Sequence, residues 1–197
     1  MDLVLASAST ARAGILGAAG VSFVSRPADM DEAALKAKLR ADQADPGTAA
    51  IALATAKAVA ISANVPDALV LAADQILVMD KDWFDKPPDR MAARRQLRRL
   101  RGRAHDLVTG VVGACDGLVV WDYVETAHLV MRPFSDAFLD RYLSQAGETI
   151  LSSVGAYRLE GLGAQLFERI DGDFFTILGL PLWPVLDFLR GHGVLRI

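Results

Sequence analysis

Cysteine, histidine and surplus positive charge are all scarce in this sequence of 197 residues, and each scarcity excludes a class of protein. The one cysteine, Cys115, cannot form a disulfide within the chain, which excludes a disulfide scaffold and indicates a reducing compartment. The three histidines do not have the spacing of metal ligands, so we treat them as structural. The formal net charge of -3 leaves no basic surplus to neutralise a phosphate backbone, and we expect no nucleic-acid partner.

Long hydrophobic runs are also missing from the sequence. A membrane-spanning helix needs ~20 consecutive apolar residues, but segment 51–65 contains Lys57, and segment 177–186 contains two prolines. The first residues lack the basic region of a signal peptide. We therefore expect a cytoplasmic protein with no membrane partner. A hydrophobic fraction of 52% against 23% charged residues excludes a disordered chain.

The apolar pattern predicts alternating strands and helices. Strands are expected at 3–6, 21–25, 69–73 (continuing extended to 79), 107–115, 119–131 and 174–178, and helices at 11–18, 31–40, 48–64, 90–100, 135–145 and 181–189. Asp116-Gly117 predicts a hairpin between two of these strands. This pattern favours a mixed α/β fold, with a partly parallel sheet and flanking helices. Because no linker or repeat is evident, we expect a single domain over residues 1–197, with two lobes around a central cleft.

The turn after the first strand is a candidate phosphate site. Ser7, Ser9 and Arg12 follow the strand and open a helix, where unpaired N–H donors and a partial positive charge favour anions. Arginine adds a planar fork of donors that suits phosphate oxygens. The alternative is a capped helix that carries a surface arginine.

Two acidic residues are candidate ligands for a divalent cation. Asp74 follows a buried apolar strand, and ligands of α/β proteins bind at the carboxyl ends of such strands. Glu32 could add a second carboxylate, and oxygen donors suit Mg²⁺ or Mn²⁺. The alternatives are a turn residue for Asp74 and a solvated helix start for Glu32.

Two lysines and two further polar residues complete the candidate set. Lys57 interrupts an apolar helix, so it needs a partner or a route to water, and Lys86 lies in a rigid proline-containing loop where it could simply be exposed. Gln75 and Glu160 could read a base edge by hydrogen bonding, since a carboxylate accepts from the ring N–H and amino group of guanine. The alternative for both is a turn or surface position.

In combination these motifs resemble the Maf family along nearly the whole chain. The resemblance rests on Leu5-Ala6-Ser7-x-Ser9-x-x-Arg12, Pro27-x-x-x-Asp31-Glu32, Leu53-Ala54-x-x-Lys57-Ala58, Ala73-Asp74, Lys86-Pro87, Gly102-x-x-His105-x-x-x-Thr109-Gly110, Gly155-Ala156-Tyr157 with Glu160-Gly161-x-Gly163-Ala164, and the ending Gly172-Asp173-Phe174 to Gly179-Leu180-Pro181-Leu182.

The resemblance implies a cytoplasmic nucleoside triphosphate pyrophosphatase with a Maf/ITPase-like fold, commonly a homodimer. It implies hydrolysis of non-canonical nucleotides to a monophosphate and pyrophosphate, with Mg²⁺ or Mn²⁺ held by Asp74 and Glu32. Carried over by position, the phosphate-binding residues are Ser7, Ser9 and Arg12, and the catalytic residues are Asp74, Glu32, Lys57 and Lys86.

Two positions point to one branch of that family. The branch that prefers dTTP and UTP has Thr after the strand-end Asp and Gln in the later loop, whereas the branch that prefers 7-methyl-GTP has Gln and Glu there. This chain carries Gln75 and Glu160, so the resemblance implies 7-methyl-GTP. Ser153 stands where the first branch has a lysine, and Ala11 stands where the second has an aromatic residue. Two alternatives stay open: a nucleotide-binding regulatory protein with little catalysis, and a pyrophosphatase for dTTP and UTP.

Overall fold

The computed structural model describes residues 1–196 of the chain. The strands of this part are β1 Asp2–Leu5, β2 Val24–Ser25, β3 Ala68–Met79, β4 Asp82–Phe84, β5 Ala104–Cys115, β6 Leu118–Met131 and β7 Phe167–Asp171. Its α-helices are α1 Thr10–Ala18, α2 Glu32–Ala41, α3 Pro46–Ser62, α4 Arg90–Leu100, α5 Asp136–Ala146, α6 Phe174–Ile177 and α7 Leu182–Gly191. Short 3₁₀ helices occupy Gly147–Ser152, Val154–Ala156 and Leu162–Leu166.

The strands form a mixed sheet in the order β2-β1-β3-β5-β6-β7, with β4 paired to β3. Strand β1 runs parallel to β2 and β3, and Leu3 lies opposite Leu69. Strands β4 and β7 run antiparallel to β3 and β6. The predicted α/β class with a partly parallel sheet and flanking helices is therefore confirmed. Within residues 1–196, none of the helices combines the length and apolar character needed to cross a bilayer.

The chain divides into two compact units built from interleaved segments. The first contains Met1–Gln75, Val108–Glu125 and the chain from Phe174 onward, and the second contains Ile76–Leu107 and Thr126–Asp173. The expectations of a single domain over 1–197 and of a central cleft stay predictions.

In the first unit, alternate strand residues enter two different cores. Leu69 and Leu71 pack in one cluster with Leu16 of α1 and Leu189 of α7. Val70 and Ala72 pack in another, which includes alanines of α3. This follows from the alternation of side chains along a strand, and both faces are apolar because parallel strands are covered on both sides. From Ala68 to Ala73, the residues of β3 thus alternate between the α3 face and the face that carries α1 and α7.

In the second unit, the arginines of α4 are largely paired with acids. Arg94 and Arg101 bind Asp136 of α5, Arg94 also binds Asp140, and Arg99 lies 2.6 Å from Asp82. Arg95, Arg98 and Arg99 of this helix are exposed, so its basic face is in contact with solvent while neighbouring carboxylates neutralise much of its charge.

Several predicted elements differ from those observed. Segment 174–178, expected as a strand, contains α6, and β7 lies where no strand was expected. Helix α3 begins at Pro46, two residues before the expected start at 48. Asp45 caps it, because its carboxylate accepts from the N–H of Thr48 at 3.1 Å. Strand β3 continues to Met79, as the extended pattern predicted, and its last residues pair with β4.

Candidate active site

The turn between β1 and α1 is held by its own hydroxyl groups. The N–H of Ser9 donates to Ser7 Oγ at 3.1 Å, and the N–H of Arg12 donates to Ser9 Oγ at 3.3 Å. Ser9 is therefore the N-cap of α1. The N–H groups of Thr10 and Ala11, in the first turn, have no acceptor inside the helix and face outward along its axis. The turn thus presents donors suited to an anion, and its phosphate-binding role stays a prediction.

Two hydrogen bonds fix the side chain of Arg12, one to a residue far away in the sequence and one to the turn. Its Nε donates to the carbonyl of Gly179 at 2.7 Å, and its Nη1 donates to Ser7 Oγ at 3.3 Å. Burial lowers the pKa of the guanidinium from its ordinary value, while the charges of Asp74 and Glu32 act in the opposite direction. Arg12 is thus an oriented cation, not the freely mobile surface arginine of the alternative interpretation.

Lys57 joins two of the predicted acids. The lysine is only 7% exposed, and its Nζ lies 2.7 Å from Asp74 Oδ1 and 2.8 Å from Glu32 Oε2. The structure therefore brings together three residues that are well separated in the sequence. The ammonium group of Lys57 is paired with two carboxylates. This pairing explains how a charged residue is accommodated within the apolar helix α3.

Asp74 lies in the middle of β3, not at a strand end as the sequence predicted. Its side chain is on the α3 face, where Lys57 approaches it. Gln75, the next residue, is on the opposite face, because successive strand residues alternate. Asp74 and Gln75 are therefore adjacent in sequence but contact different parts of the structure.

The carboxylates of Glu32 and Asp74 fit a divalent cation of the Mg²⁺ type. Among residues 1–196 there is no group of three or more His, Cys, Asp or Glu side chains placed to hold a metal. Two carboxylates on one ammonium group are nevertheless a suitable donor set, since Mg²⁺ is commonly held by one or two carboxylates together with substrate phosphates. The assignment of Mg²⁺ or Mn²⁺ to these two acids remains a proposal.

Gln75 is the centre of a buried polar network in the first unit. Its Nε2 donates to Thr109 Oγ1 at 2.9 Å and to the carbonyls of Thr176 at 2.9 Å and Ile177 at 3.3 Å. Thr176 Oγ1 in turn donates to Glu125 at 2.6 Å. The nitrogen end of the Gln75 amide is thus engaged by the chain itself. Its predicted role in base specificity stays a prediction.

The second unit contains the two remaining candidates. Lys86 is exposed after β4, and Glu160 accepts a hydrogen bond from Arg158 Nε at 2.7 Å. A few residues before Glu160, the buried Tyr157 hydroxyl lies 2.8 Å from His105 Nε2. The loop that carries Glu160 is therefore anchored by a buried aromatic residue.

Acid should weaken this anchor through His105. Burial lowers the pKa of His105 to about 4, against 6.5 for an unperturbed histidine, whereas the charge of Asp106 acts to raise it. The unfolded chain therefore binds the proton more readily, so stability is complete above about pH 6.5 and falls as the pH drops towards 4. We expect this histidine to remove about 2 kcal/mol of unfolding free energy near pH 5.

Urea unfolding at several pH values measures that effect. His105→Gln keeps a hydrogen-bonding group for Tyr157 but does not titrate, so its stability should depend less on pH than that of the wild type. The exposed His128, paired with Asp106 at 2.7 Å, provides the control variant His128→Gln. Equal acid sensitivity of wild type and His105→Gln would contradict the assignment.

Sequence reasoning assigned no role to Gly179, Thr109 or Thr176. They appeared only as parts of longer motifs, and the contacts that give them a role join segments far apart in the chain. A φ of +94° at Gly179 marks a backbone conformation that favours glycine, but the sequence alone does not show which side chain its carbonyl binds.

Comparison with known proteins identifies relatives over the full length. A family profile described as Maf-like protein matches residues 2–192. A nucleoside triphosphate pyrophosphatase of Granulibacter bethesdensis is 53% identical over 197 residues, covering 100% of both chains. One of Paramagnetospirillum magneticum is 54% identical over 98% of this chain and 99% of its own. A 7-methyl-GTP pyrophosphatase of Rhizobium meliloti is 48% identical over 98% of this chain and 97% of its own.

Proposed function

We propose that this chain, which belongs to the family of Maf-like proteins, hydrolyses 7-methyl-GTP to 7-methyl-GMP and pyrophosphate. The chain is a nucleoside triphosphate pyrophosphatase, a hydrolase of nucleotide metabolism, as are its full-length relatives by name. The observation that carries the proposal is the cluster in which Lys57 lies between Asp74 and Glu32. The choice of base rests on Gln75 and Glu160, the pair typical of the 7-methyl-GTP branch.

The charges of the first unit suit a triphosphate. A triphosphate carries roughly four negative charges, so its site needs oriented cations and N–H donors. Arg12 would bind phosphate oxygens with its remaining guanidinium donors, because Nε is already held by Gly179. Ser7 and Ser9 shape the adjoining turn. The family resemblance adds Lys86 as a further cation for the triphosphate.

Hydrolysis requires a water molecule to lose a proton while it attacks the α-phosphorus. The bond from that phosphorus to the bridging oxygen breaks, and pyrophosphate leaves. Asp74 or Glu32 would accept the proton, and Lys57 between them would hold both carboxylates in place. A divalent cation on these two acids would supply positive charge to the α-phosphoryl oxygens.

Base recognition would use acceptor atoms. Guanine presents a ring N–H and an amino group, which pair with oxygen acceptors. Glu160 offers a carboxylate whose position is fixed by Arg158, and Gln75 has its nitrogen committed to the chain, which leaves its oxygen as the available end. Both features favour a guanine-type edge over the O4 and O2 acceptors of uracil.

The family resemblance adds two further proposals, a homodimer and a cytoplasmic location. Both agree with a role in removing modified nucleotides before they are used.

A nucleotide panel tests the proposal directly. Pyrophosphate release with Mg²⁺ or Mn²⁺ would be measured for 7-methyl-GTP, GTP, UTP and dTTP at equal concentrations. We expect a higher kcat/KM with 7-methyl-GTP and GTP than with UTP and dTTP, since acceptor groups select the guanine edge. The family branch indicated by Gln75 and Glu160 further predicts that 7-methyl-GTP is preferred over GTP. Preference for dTTP and UTP would instead support the other branch of the family. Binding without turnover of any nucleotide would favour a sensor, the alternative suggested by Ser153.

A further inference from the structure

One carbonyl group connects Gln75 to Arg12. The oxygen of Thr176, at α6, accepts from Gln75 Nε2 at 2.9 Å, from Thr109 Oγ1 at 3.2 Å and from the N–H of Gly179 at 2.9 Å. The carbonyl of Gly179 then accepts from Arg12 Nε at 2.7 Å. A continuous chain of hydrogen bonds thus runs from β3 and β5 through α6 to the guanidinium.

The orientation of the Gln75 amide is settled by these partners. The carbonyls of Thr176 and Ile177 only accept, so the atom that faces them must be the nitrogen. Thr109 Oγ1 uses its own hydrogen towards Thr176, which leaves it as an acceptor for the same nitrogen. Thr109 and Thr176 are fully buried, so a lost partner here would not be replaced easily by water.

There is little free space between Gly179 and the guanidinium group of Arg12. A Cβ at this position would lie 3.3 Å from Arg12 Nε and Nη2. The turn and the guanidinium are therefore in close contact, and a displacement of α6 would displace the arginine. Glu125 holds α6 from a third strand, through Thr176 Oγ1 at 2.6 Å.

We infer that Gln75 and Thr109 are positioning residues that orient Arg12 for the phosphate groups of the substrate by fixing the turn from Thr176 to Gly179. The inference rests on the proposed phosphate-binding role of Arg12. It differs from base recognition by Gln75, because a displaced Arg12 would affect every triphosphate equally, whatever its base.

Inorganic tripolyphosphate separates the two roles because it has no base. Its binding would be measured by calorimetry, with Mg²⁺ present, for wild type, Thr109→Val, Gln75→Met and Arg12→Ala. We expect Thr109→Val and Gln75→Met to weaken binding roughly tenfold, the scale of one lost buried hydrogen bond with a partner left unsatisfied. In Thr109→Val, the kcat/KM for 7-methyl-GTP, GTP and UTP should fall by a common factor. Thr109→Ser, which keeps the hydroxyl, should restore both values.

A spectroscopic signature checks the path through Arg12. The ¹⁵N–¹H resonance of its Nε–H, assigned by its loss in Arg12→Ala, should shift and exchange faster with water in Thr109→Val. Gly179→Ala, which crowds the guanidinium directly, should weaken tripolyphosphate binding in the same way. This variant also tests the link if Thr109→Val does not fold.

The outcomes distinguish this inference from the proposed function. If tripolyphosphate binding is unchanged in Thr109→Val and Gln75→Met, or if only the ratio between nucleotides changes, the positioning role is wrong and the proposed reaction is unaffected. If Arg12→Ala binds tripolyphosphate as well as wild type does, the phosphate role of Arg12 fails, and the positioning role fails with it. An unchanged Nε–H resonance in a weakened variant would also overturn the inference.

Discussion

Replacing Asp74 by asparagine should lower kcat/KM for nucleotide hydrolysis at least ~100-fold, a typical loss for a group central to charge stabilisation. Asparagine has nearly the same shape, so the packing beside α3 is kept while the negative charge is lost. The Asp74 carboxylate accepts from Lys57 Nζ at 2.7 Å, and it is one of the two carboxylates available for a divalent cation. The variant would therefore lose a cation ligand and a candidate proton acceptor together.

The measurement is steady-state pyrophosphate release with Mg²⁺ over a range of substrate concentrations. Asp67→Asn is the matched control, because Asp67 is an exposed acid of the same unit just before β3. Thermal unfolding of both variants would verify that they are folded. Near-wild-type kinetics of Asp74→Asn would remove this residue from the mechanism.

Gly110→Ala should destabilise the protein by about 3 kcal/mol, the upper part of the range for overpacking a tight core. Helix α3 crosses β5 at this glycine so closely that a Cβ would lie 2.7 Å from the backbone carbonyl carbon of Ala50 and the backbone nitrogen of Ile51. Backbone atoms cannot move aside as the end of a side chain can. The added methyl group would have to push the helix away from the sheet, and Lys57 is on that helix.

Urea unfolding of Gly110→Ala measures the loss of unfolding free energy. We also expect reduced activity, because α3 carries Lys57. Gly14→Ala is the matched control, since a Cβ on this exposed residue inside α1 meets nothing within 4 Å. Alanine favours helix over glycine, so Gly14→Ala should be neutral or should stabilise by up to about 1 kcal/mol. Equal stability of the two variants would contradict the close approach of α3 to β5.

Local patterns predicted most elements of the fold well. Residues 90–100 form the expected helix, Ser9 and Ser135 cap the expected helices, and Asp116-Gly117 joins β5 to β6. Positive φ angles of 49° at Asp116 and 77° at Gly117 explain the success of the last prediction. These features depend on residues a few positions apart, which the sequence displays directly.

Helix α6 shows why the other predictions failed. Segment 174–178 is rich in residues that favour strands, yet it forms a helical turn. Its carbonyls at Thr176 and Ile177 are bound by Gln75, which is about 100 positions away in the chain. A tertiary hydrogen-bond network here outweighs a weak local preference.

The sequence by itself determined the fold class, the N-terminal turn and the identity of the charged residues, because periodicity, capping and motif order are local properties. Only the tertiary structure decided that Lys57 lies between Glu32 and Asp74, and that Arg12 is held by a carbonyl 167 positions further along. The physical reason is that buried charges and donors take whichever partners the folded backbone places within hydrogen-bonding distance, and chain separation does not enter that choice.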